Sequence, residues 1–153
     1  MSRSYPERPI VGVGVVVWRG NSVLLVKRGK PPRVGSWSLP GGAQKVGETV
    51  FEAAIREVRE ETSLEISVTG LIDVVDSIHR DSQDRIEYHY TLVDVAALSE
   101  HGDATALDDA TDVGWFTRDE LAPLDLWSET VRIIDLSRSS VHGTLDSSTN
   151  RPV

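Results

Sequence analysis

The segment from Ser38 to Leu64 constrains the fold more than any other part of this sequence. Between residues 49 and 62, apolar side chains recur at the i, i+3, i+4, i+7 spacing of an amphipathic helix: Phe51, Ala54, Ile55 and Val58. Thr49 is a suitable N-cap, because its hydroxyl can accept a hydrogen bond from an unpaired N–H of the first turn. The pattern predicts a helix over about 49–62 whose apolar stripe packs on a core.

The same helix carries three glutamates near its C-terminal end. At about 100° per residue, Glu57, Glu60 and Glu61 share an arc of roughly 100° that points away from the apolar stripe. Like charges at these spacings destabilise a helix, and anions at this end also oppose the macrodipole. Two interpretations remain open from the helix alone: a solvated acidic face softened by Arg56 and Arg59, or a site for a divalent cation.

Two glycines ahead of the helix favour the cation site. Gly41 and Gly42 follow Pro40, and backbone without a Cβ allows a carbonyl or an N–H to approach an ion or a phosphate closely. Carboxylate oxygens are the ligands that Mg²⁺ and Mn²⁺ prefer. Carboxylates that converge beside such a turn can hold a cation and leave room for water and substrate phosphate.

Two strand hairpins flank this segment. Residues 9–27 contain two β-branched runs separated by RGNS, which predicts an antiparallel hairpin with a glycine-containing turn. Residues 66–79 and 85–98 predict a second hairpin, because apolar and polar side chains alternate in its later half. Residues 30–36 are rich in proline and glycine and predict a loop.

The C-terminal third predicts a loop, a short strand and brief helical structure. Residues 100–112 are polar and small, which is typical of an exposed loop, and residues 114–116 resemble a short strand. Thr117 and Glu120 have the spacing of a capping box that opens a turn of helix.

A terminal helix is predicted from Ser128, with its apolar contacts supplied by Val131, Ile134 and Leu136. Residues 139–153 contain few large apolar side chains, so this tail is predicted to fray. The order hairpin, helix, hairpin, loop, helix predicts an α/β fold with a mixed sheet covered by helices on both faces.

Composition excludes several classes of partner. The formal net charge of −8 opposes bulk attraction to a nucleic acid polymer or to an anionic membrane surface. There is no cysteine, which rules out disulfides and thiolate metal sites. The sequence has no stretch approaching the roughly 18 apolar residues of a membrane span and no signal-peptide apolar region, so a cytoplasmic location is expected.

The glycine and glutamate segment resembles the signature of the Nudix hydrolases, G-x5-E-x7-R-E-U-x-E-E-x-G-U, where U is a bulky aliphatic residue. The matching positions are Gly42, Glu48, Arg56, Glu57, Val58, Glu60, Glu61 and Leu64. Only Ser63 departs, replacing the final glycine, and the change is expected to reduce helix-end stability while sparing the chemistry. The resemblance implies a single Nudix domain over 1–153, an α/β/α sandwich with an ordered core of about 8–138.

The resemblance implies Mg²⁺-dependent hydrolysis of a pyrophosphate bond in a nucleoside diphosphate linked to another moiety, with Mn²⁺ as a possible replacement. It gives the metal ligands as Glu57, Glu60, Glu61 and the Gly41 carbonyl. It implies that Arg56 orients the carboxylates. The general base is a helix glutamate such as Glu57 or Glu60, or an acid on the later loop, where Asp108 and Asp109 are candidates and family placement favours Asp109.

The substrate is a small-molecule nucleotide on this interpretation. Arg28 and Arg33 flank the proline loop and, with Gly42, are the candidate contacts to substrate phosphate. The region after the signature looks most like the bacterial branch that acts on ADP-ribose and related nucleoside diphosphate sugars. The alternatives are a nucleoside triphosphate pyrophosphohydrolase, including one for oxidised nucleotides, and a catalytically silent nucleotide-binding regulator. Relatives often form homodimers, so a dimer is a further expectation.

Overall fold

The computed structural model describes residues 3–143, with side chains through residue 139. Within this range the chain forms seven strands and two α-helices. The strands are β1 (Ile10–Arg19), β2 (Ser22–Arg28), β3 (Trp37–Ser38), β4 (Gly41–Ala43), β5 (Ser67–Arg80), β6 (Ile86–Leu98) and β7 (Ala110–Thr117). The helices are α1 (Val50–Thr62) and α2 (Ser128–Gly143), with short 3₁₀ turns at Arg118–Glu120 and Ala122–Leu124 before α2.

Strand β1 is the centre of a mixed sheet. It pairs parallel with β6 along its length, antiparallel with β4 at its beginning and antiparallel with β2 at its end. β5 extends the sheet beyond β6, while β3 and β7 pair with β2. Both predicted hairpins, β1 with β2 and β5 with β6, are therefore confirmed.

Each face of the sheet supports one helix. Under α1, Ala53, Ala54 and Val58 pack against the odd-numbered valines of β1, residues 13, 15 and 17. Under α2, Ile133 and Ile134 pack with Val16 and Trp18 from the opposite face of the same strand. Because successive side chains of β1 point to opposite faces of the sheet, this one strand contributes to both hydrophobic cores. The predicted α/β/α sandwich is confirmed.

The predicted apolar stripe of α1 is wrong in part. Phe51 is 45% exposed and Ile55 is only half-buried, whereas Ala53 is fully buried. The helix is rotated because its C-terminal half turns Glu61 and Thr62 inward; both are buried. Glu61 therefore does not point to solvent, as the helical arc had predicted.

The C-terminal predictions also need correction. β7 begins at Ala110, so the last part of the predicted loop is strand, although the capping box of Thr117 and Glu120 is present. In α2, Ile133 and Ile134 are buried while Leu136 is 43% exposed. The helix continues to Gly143, beyond the predicted end of order, and residues 144–153 lie outside the described residues. Neither described helix combines the length and apolar content needed to cross a membrane.

Candidate active site

Both ends of α1 are fixed by local hydrogen bonds, which sets the direction of its glutamates. The Thr49 hydroxyl accepts from the Glu52 N–H at 3.1 Å, and the Glu52 carboxylate accepts from the Thr49 N–H at 2.9 Å. At the other end Ser63 has φ +64°, and its N–H donates to the Arg59 carbonyl. Ser63 stands at the position where the signature has glycine and takes the left-handed conformation that glycine would favour. The helix therefore still ends at this residue.

Strand β4 brings two glycines so close to β1 and α1 that a Cβ at either position would displace a neighbouring group. A Cβ on Gly41 would lie 1.9 Å from the Val13 carbonyl oxygen. A Cβ on Gly42 would lie 2.5 Å from the Glu57 carboxyl carbon. Because real Cβ contacts are not this short, glycine at both positions allows β4 to lie between β1 and the glutamates of α1.

Glu61 is the most enclosed acid of the cluster. Its carboxylate accepts a hydrogen bond from the Gly41 N–H at 2.8 Å, and the residue is 8% exposed. Burial raises the pKa of Glu61 to about 7 against the effect of this hydrogen bond, and the negative charges of Glu57 and Asp109 add to the rise. The contact observed for Gly41 is through its N–H, so Gly41 orients Glu61; the predicted role of its carbonyl as a ligand stays a prediction.

Arg56 holds the other acids of the signature. Its Nε and Nη2 bind the two carboxylate oxygens of Glu48, each at 2.7 Å. Its Nη1 donates to Glu57 at 2.9 Å and to Glu60 at 3.1 Å, and Nη2 also reaches the Ala43 carbonyl at 3.1 Å. Hydrogen bonds from Arg56 lower the pKa of Glu48 to about 2. One guanidinium therefore connects three carboxylates and the end of β4.

Glu57 and Glu60 differ in burial. The Glu57 side chain is 14% exposed and that of Glu60 is 40% exposed. Burial raises the pKa of Glu57, although the hydrogen bond and charge of Arg56 oppose the rise. Within residues 3–143, no three acidic or histidine side chains converge closely enough to hold a metal ion in their present rotamers. The three glutamates are neighbours, with Glu57 and Glu60 turned to Arg56 and Glu61 turned to Gly41.

Asp109 lies on the loop before β7, at the same end of the sheet. Its carboxylate forms an ion pair of 2.9 Å with Lys30, and its carbonyl accepts from the Gly29 N–H at 2.9 Å. Asp108 precedes it with φ +54° and lines the same cavity. Both predicted loop acids therefore line the cavity, and the negative charge of Asp109 acts on Glu61.

A cavity of about 730 Å³ opens beside the glutamates. All predicted site residues line it: Arg28, Arg33, Gly41, Gly42, Arg56, Glu57, Glu60, Glu61 and Asp109. Arg28 Nε donates to the Pro32 carbonyl at 2.8 Å, and the Arg33 guanidinium lies 5.1 Å from the ring centroid of Trp127. The structure thus brings together the acids of α1 and the cations of the proline loop around one space.

A family model described as the NUDIX domain matches residues 8–136. The chain belongs to the Nudix family. An ADP-ribose pyrophosphatase from Methanocaldococcus jannaschii is 36% identical over 116 residues, which are 76% of this chain and 66% of that protein. The chain therefore spans about two-thirds of the length of this relative.

Two further comparisons extend the similarity. The nucleoside triphosphatase NudI of an Enterobacter species is 31% identical over 127 residues, covering 77% of this Nudix chain and 88% of that one. The Nudix domain of Shewanella oneidensis NrtR, solved with ADP ribose, superposes with a TM-score of 0.71 at 21% identity, covering 89% of this chain and 90% of its own. The latter match shows the fold.

Three residues that line the Nudix cavity were missed by the sequence analysis: Arg3, Lys30 and Asp94. Arg3 lies close enough to Glu57 to favour its ionised form, and Lys30 pairs with Asp109. Nothing in the sequence distinguishes these cations from ordinary surface residues. Asp94 did carry a signal, because it is an acid inside the apolar run TLVDVAAL of β6.

Asp94 is expected to reduce the stability of the fold at neutral pH. Burial raises its pKa to about 6; the charges of Asp73 and Glu129 add to the rise, and Arg132 opposes it. The pKa of Asp94 in the folded state exceeds its usual value of 3.8, so the folded state binds this proton more tightly than the unfolded state does. Ionisation of Asp94 therefore lowers the free energy of unfolding as the pH rises from about 4 to 6, and the loss is complete above that range.

We therefore expect Asp94→Asn to increase the free energy of unfolding by up to about 3 kcal/mol at pH 8 and by only about 1 kcal/mol at pH 4.5. Urea denaturation at the two pH values measures this difference. Asp76→Asn, an exposed acid on the adjacent strand β5, serves as the control and should change stability little at either pH. An equal effect of Asp94→Asn at both pH values would contradict the expectation.

Proposed function

We propose that this Nudix domain hydrolyses the pyrophosphate bond of a nucleoside diphosphate linked to another moiety, with ADP-ribose or a related nucleoside diphosphate sugar as the substrate and Mg²⁺ as the cofactor. The observation that carries the proposal is that Glu57, Glu60 and Glu61 line one cavity together with the cations that flank the proline loop, Arg28 and Arg33. The relative named ADP-ribose pyrophosphatase supports the choice of substrate.

The donor set of the cluster fits a hard divalent cation. Glu57, Glu60 and Glu61 offer only carboxylate oxygens, and the described chain contains no thiol that would favour a softer metal. These three side chains would hold Mg²⁺, or Mn²⁺ in its place, after small rotations away from Arg56 and Gly41. When bound, such an ion neutralises charge on the pyrophosphate oxygens and activates water for attack on phosphorus.

The protein groups around the cluster each have a role in this proposal. Arg56 fixes Glu57 and Glu60, because both carboxylates bind the same guanidinium nitrogen. Asp109, which lines the cavity and pairs with Lys30, accepts a proton from the attacking water or serves as a supplementary ligand. Arg28, Arg33 and the N–H of Gly42 bind substrate phosphate oxygens.

The size and charge of the site favour a small nucleotide. A cavity of about 730 Å³ lies within the range of roughly 300–1,000 Å³ typical of small-molecule sites. The chain carries a net charge of −8, and acids as well as cations line the cavity, so an anionic substrate would be attracted locally by Arg28 and Arg33 together with the bound metal ion.

A product-resolved screen tests the proposal. With Mg²⁺ present, ADP-ribose is expected to yield AMP and ribose 5-phosphate, and omission of the metal is expected to abolish turnover. Activity confined to nucleoside triphosphates would support the second candidate, which the similarity to NudI over 88% of that protein favours. Binding of nucleotide without any product would indicate a regulatory module, although every acid of the signature is present in this chain.

Arg56→Lys keeps the positive charge at residue 56 but is expected to lower activity, because it removes hydrogen bonds that orient the glutamates. A lysine ammonium cannot bind both oxygens of Glu48 and also reach Glu57 and Glu60, so the glutamates lose their common anchor. We expect kcat for ADP-ribose to fall about 10- to 100-fold, as is typical for loss of a group that orients metal ligands.

Arg59→Lys is the matched control for this change, since Arg59 lies on the same helix and forms an exposed pair with Glu65. Such surface pairs contribute little, so this variant should retain its rate and its melting temperature. Equal kcat values for the two lysine variants would argue against the orienting role of Arg56.

A further inference from the structure

Asp94 lines the cavity with a buried carboxyl that has no hydrogen-bond partner among the described side chains. It is 4% exposed, and no described residue donates a hydrogen bond to it or forms an ion pair with it. Every fully enclosed side-chain nitrogen or oxygen in the described range does have a partner. The Asp94 oxygens are therefore not fully enclosed, and their remaining exposure is toward the cavity that this residue lines.

Arg132, whose positive charge acts on Asp94, does not form an ion pair with it. Arg132 of α2 binds Asp73 at 2.9 Å and also binds Glu129 on its own helix. Its charge acts on Asp94 only from a distance, and the carboxylates of Asp73 and Glu129 oppose that effect. A buried carboxyl left without a partner destabilises a protein, and groups of this kind are concentrated at functional sites.

The sheet register gives the backbone separation of Asp94 from Gly41, the residue that binds Glu61. Gly14 of β1 is the register partner of Gly41 on one side and of Asp94 on the other. Two strand spacings therefore separate Gly41 from Asp94, about 10 Å. Alternation along β6 also turns Asp94 to the face of the sheet that α2 covers, with Ala96, whereas Val95 faces α1. Asp94 therefore lies apart from a metal site at Glu57 and Glu61, in a position that suits the part of a nucleotide beyond its phosphates.

The absence of a side chain at Gly14 leaves space for the Asp94 carboxyl. A Cβ at Gly14 would lie 2.2 Å from Asp94 Oδ1 and 3.7 Å from the Leu39 side chain. Leu92 and Val75 continue the wall on the neighbouring positions of β6 and β5, and both line the cavity. The carboxyl thus lies within an apolar surface that can contact the faces of a flat ring.

We propose that Asp94 is a specificity-determining residue that accepts a hydrogen bond from an N–H donor on the nucleobase of the substrate. The inference deepens the proposed function and rests on it, because it assumes that a nucleotide occupies the cavity with its phosphates at α1. Aromatic side chains at the same cavity, Trp37 and Trp127, suit a purine base. With its pKa near 6, Asp94 is mainly ionised at pH 7 to 8 and can only accept, so its partner must donate.

Paired substrates test this inference. In the first pair, ADP-ribose is compared with its analogue that lacks the 6-amino group of adenine. In the second pair, GDP-ribose is compared with IDP-ribose, whose base lacks the 2-amino group of guanine. The wild-type protein is expected to prefer the amino member of one pair by about 10- to 100-fold in kcat/KM, mainly through KM. Asp94→Leu, which has similar volume and no acceptor, is expected to bring that ratio to about 1 with little change in kcat.

Two variants separate recognition from packing. Asp94→Asn keeps one acceptor oxygen, so this variant is expected to retain part of the kcat/KM preference for the amino substrate. A purely structural role of Asp94 would not predict this partial retention. Asp76→Asn changes an exposed acid on β5 and should leave the ratio at its wild-type value. Retention of the full preference by Asp94→Leu, or no preference in either pair for the wild-type protein, would overturn the proposal.

A binding measurement distinguishes failure of this inference from failure of the proposed function. Quenching of tryptophan fluorescence is followed with AMP and its 6-deamino analogue, and with GMP and IMP, in the absence of metal. A preference abolished in Asp94→Leu supports the inference even if no substrate is turned over, and the proposed function then fails alone. Turnover of ADP-ribose with equal binding within each pair overturns the inference and leaves the proposed function intact.

Discussion

Glu57→Gln and Glu61→Gln are each expected to lower kcat for ADP-ribose by more than about 100-fold while the fold survives. Both carboxylates are proposed metal ligands, and loss of groups that merely orient ligands already costs about 10- to 100-fold. An amide is a weaker ligand for a hard cation and carries no charge to attract it. Steady-state kinetics with a Mg²⁺ titration measures the loss, and circular dichroism verifies the fold.

The two variants should differ in stability, which provides an internal check. In Glu61→Gln the side-chain oxygen can still accept from the Gly41 N–H, and a charge whose burial is unfavourable disappears, so the melting temperature should stay the same or rise. Glu57→Gln loses half of an ion pair with Arg56 and should melt slightly lower.

Glu65→Gln is the control for both changes. Glu65 follows the same helix and is exposed, with Arg59 as its partner, so the variant should keep its rate. Rates near wild type for both Glu57→Gln and Glu61→Gln would reject the assignment of the site.

Gly41→Ala is expected to reduce the free energy of unfolding by more than about 3 kcal/mol and to remove activity. The new methyl group would lie 1.9 Å from the Val13 carbonyl oxygen and 2.9 Å from its carbon, so β4 must move away from β1. This displacement also removes the Gly41 N–H from Glu61. Strain at a backbone position of this kind is among the few causes of such large effects.

Gly70→Ala is the matched control, since Gly70 lies within strand β5 and a Cβ there would meet no atom within 4 Å. Its stability should be unchanged or higher by about 0.5–1 kcal/mol, because alanine has less conformational freedom to lose on folding. Urea denaturation of the two variants measures the contrast. A Gly41→Ala protein as stable as Gly70→Ala would show that β4 does not need the close approach.

Much of the fold follows from local patterns in the sequence. The hairpins, the capped helix after the glycine pair and the capping box at Thr117 were predictable because alternation, caps and turns act over a few residues. The rotation of α1 was not, since the inward turn of Glu61 depends on the Gly41 N–H, which lies 20 residues earlier in the chain. The short strands β3 and β4 were missed because two or three residues carry no periodicity.

In the candidate site, too, features set by neighbouring residues were predictable, and features that depend on distant parts of the chain were not. The acids of α1 could be predicted because they share one helix and one motif. Lys30 and Arg3 could not, because their positions depend on how the proline loop and the N-terminal segment lie on the sheet. The unpaired state of Asp94 was also hidden, since it depends on Arg132 binding Asp73 and Glu129 instead.

Gly14 of β1 lies between Gly41 and Asp94 in the sheet, so the proposed catalytic and base-recognition residues stand on different strands. The end of the cavity at which we propose hydrolysis is built by β4 and α1, whereas β5 and β6 build the end that holds Asp94. In the described sheet, β4 and β6 both pair with β1 and not with each other. Side chains at the far end can therefore be exchanged without moving a carboxylate of α1. Such a layout would allow the proposed hydrolytic residues to be kept while mutations at β5 and β6 change which nucleobase is accepted.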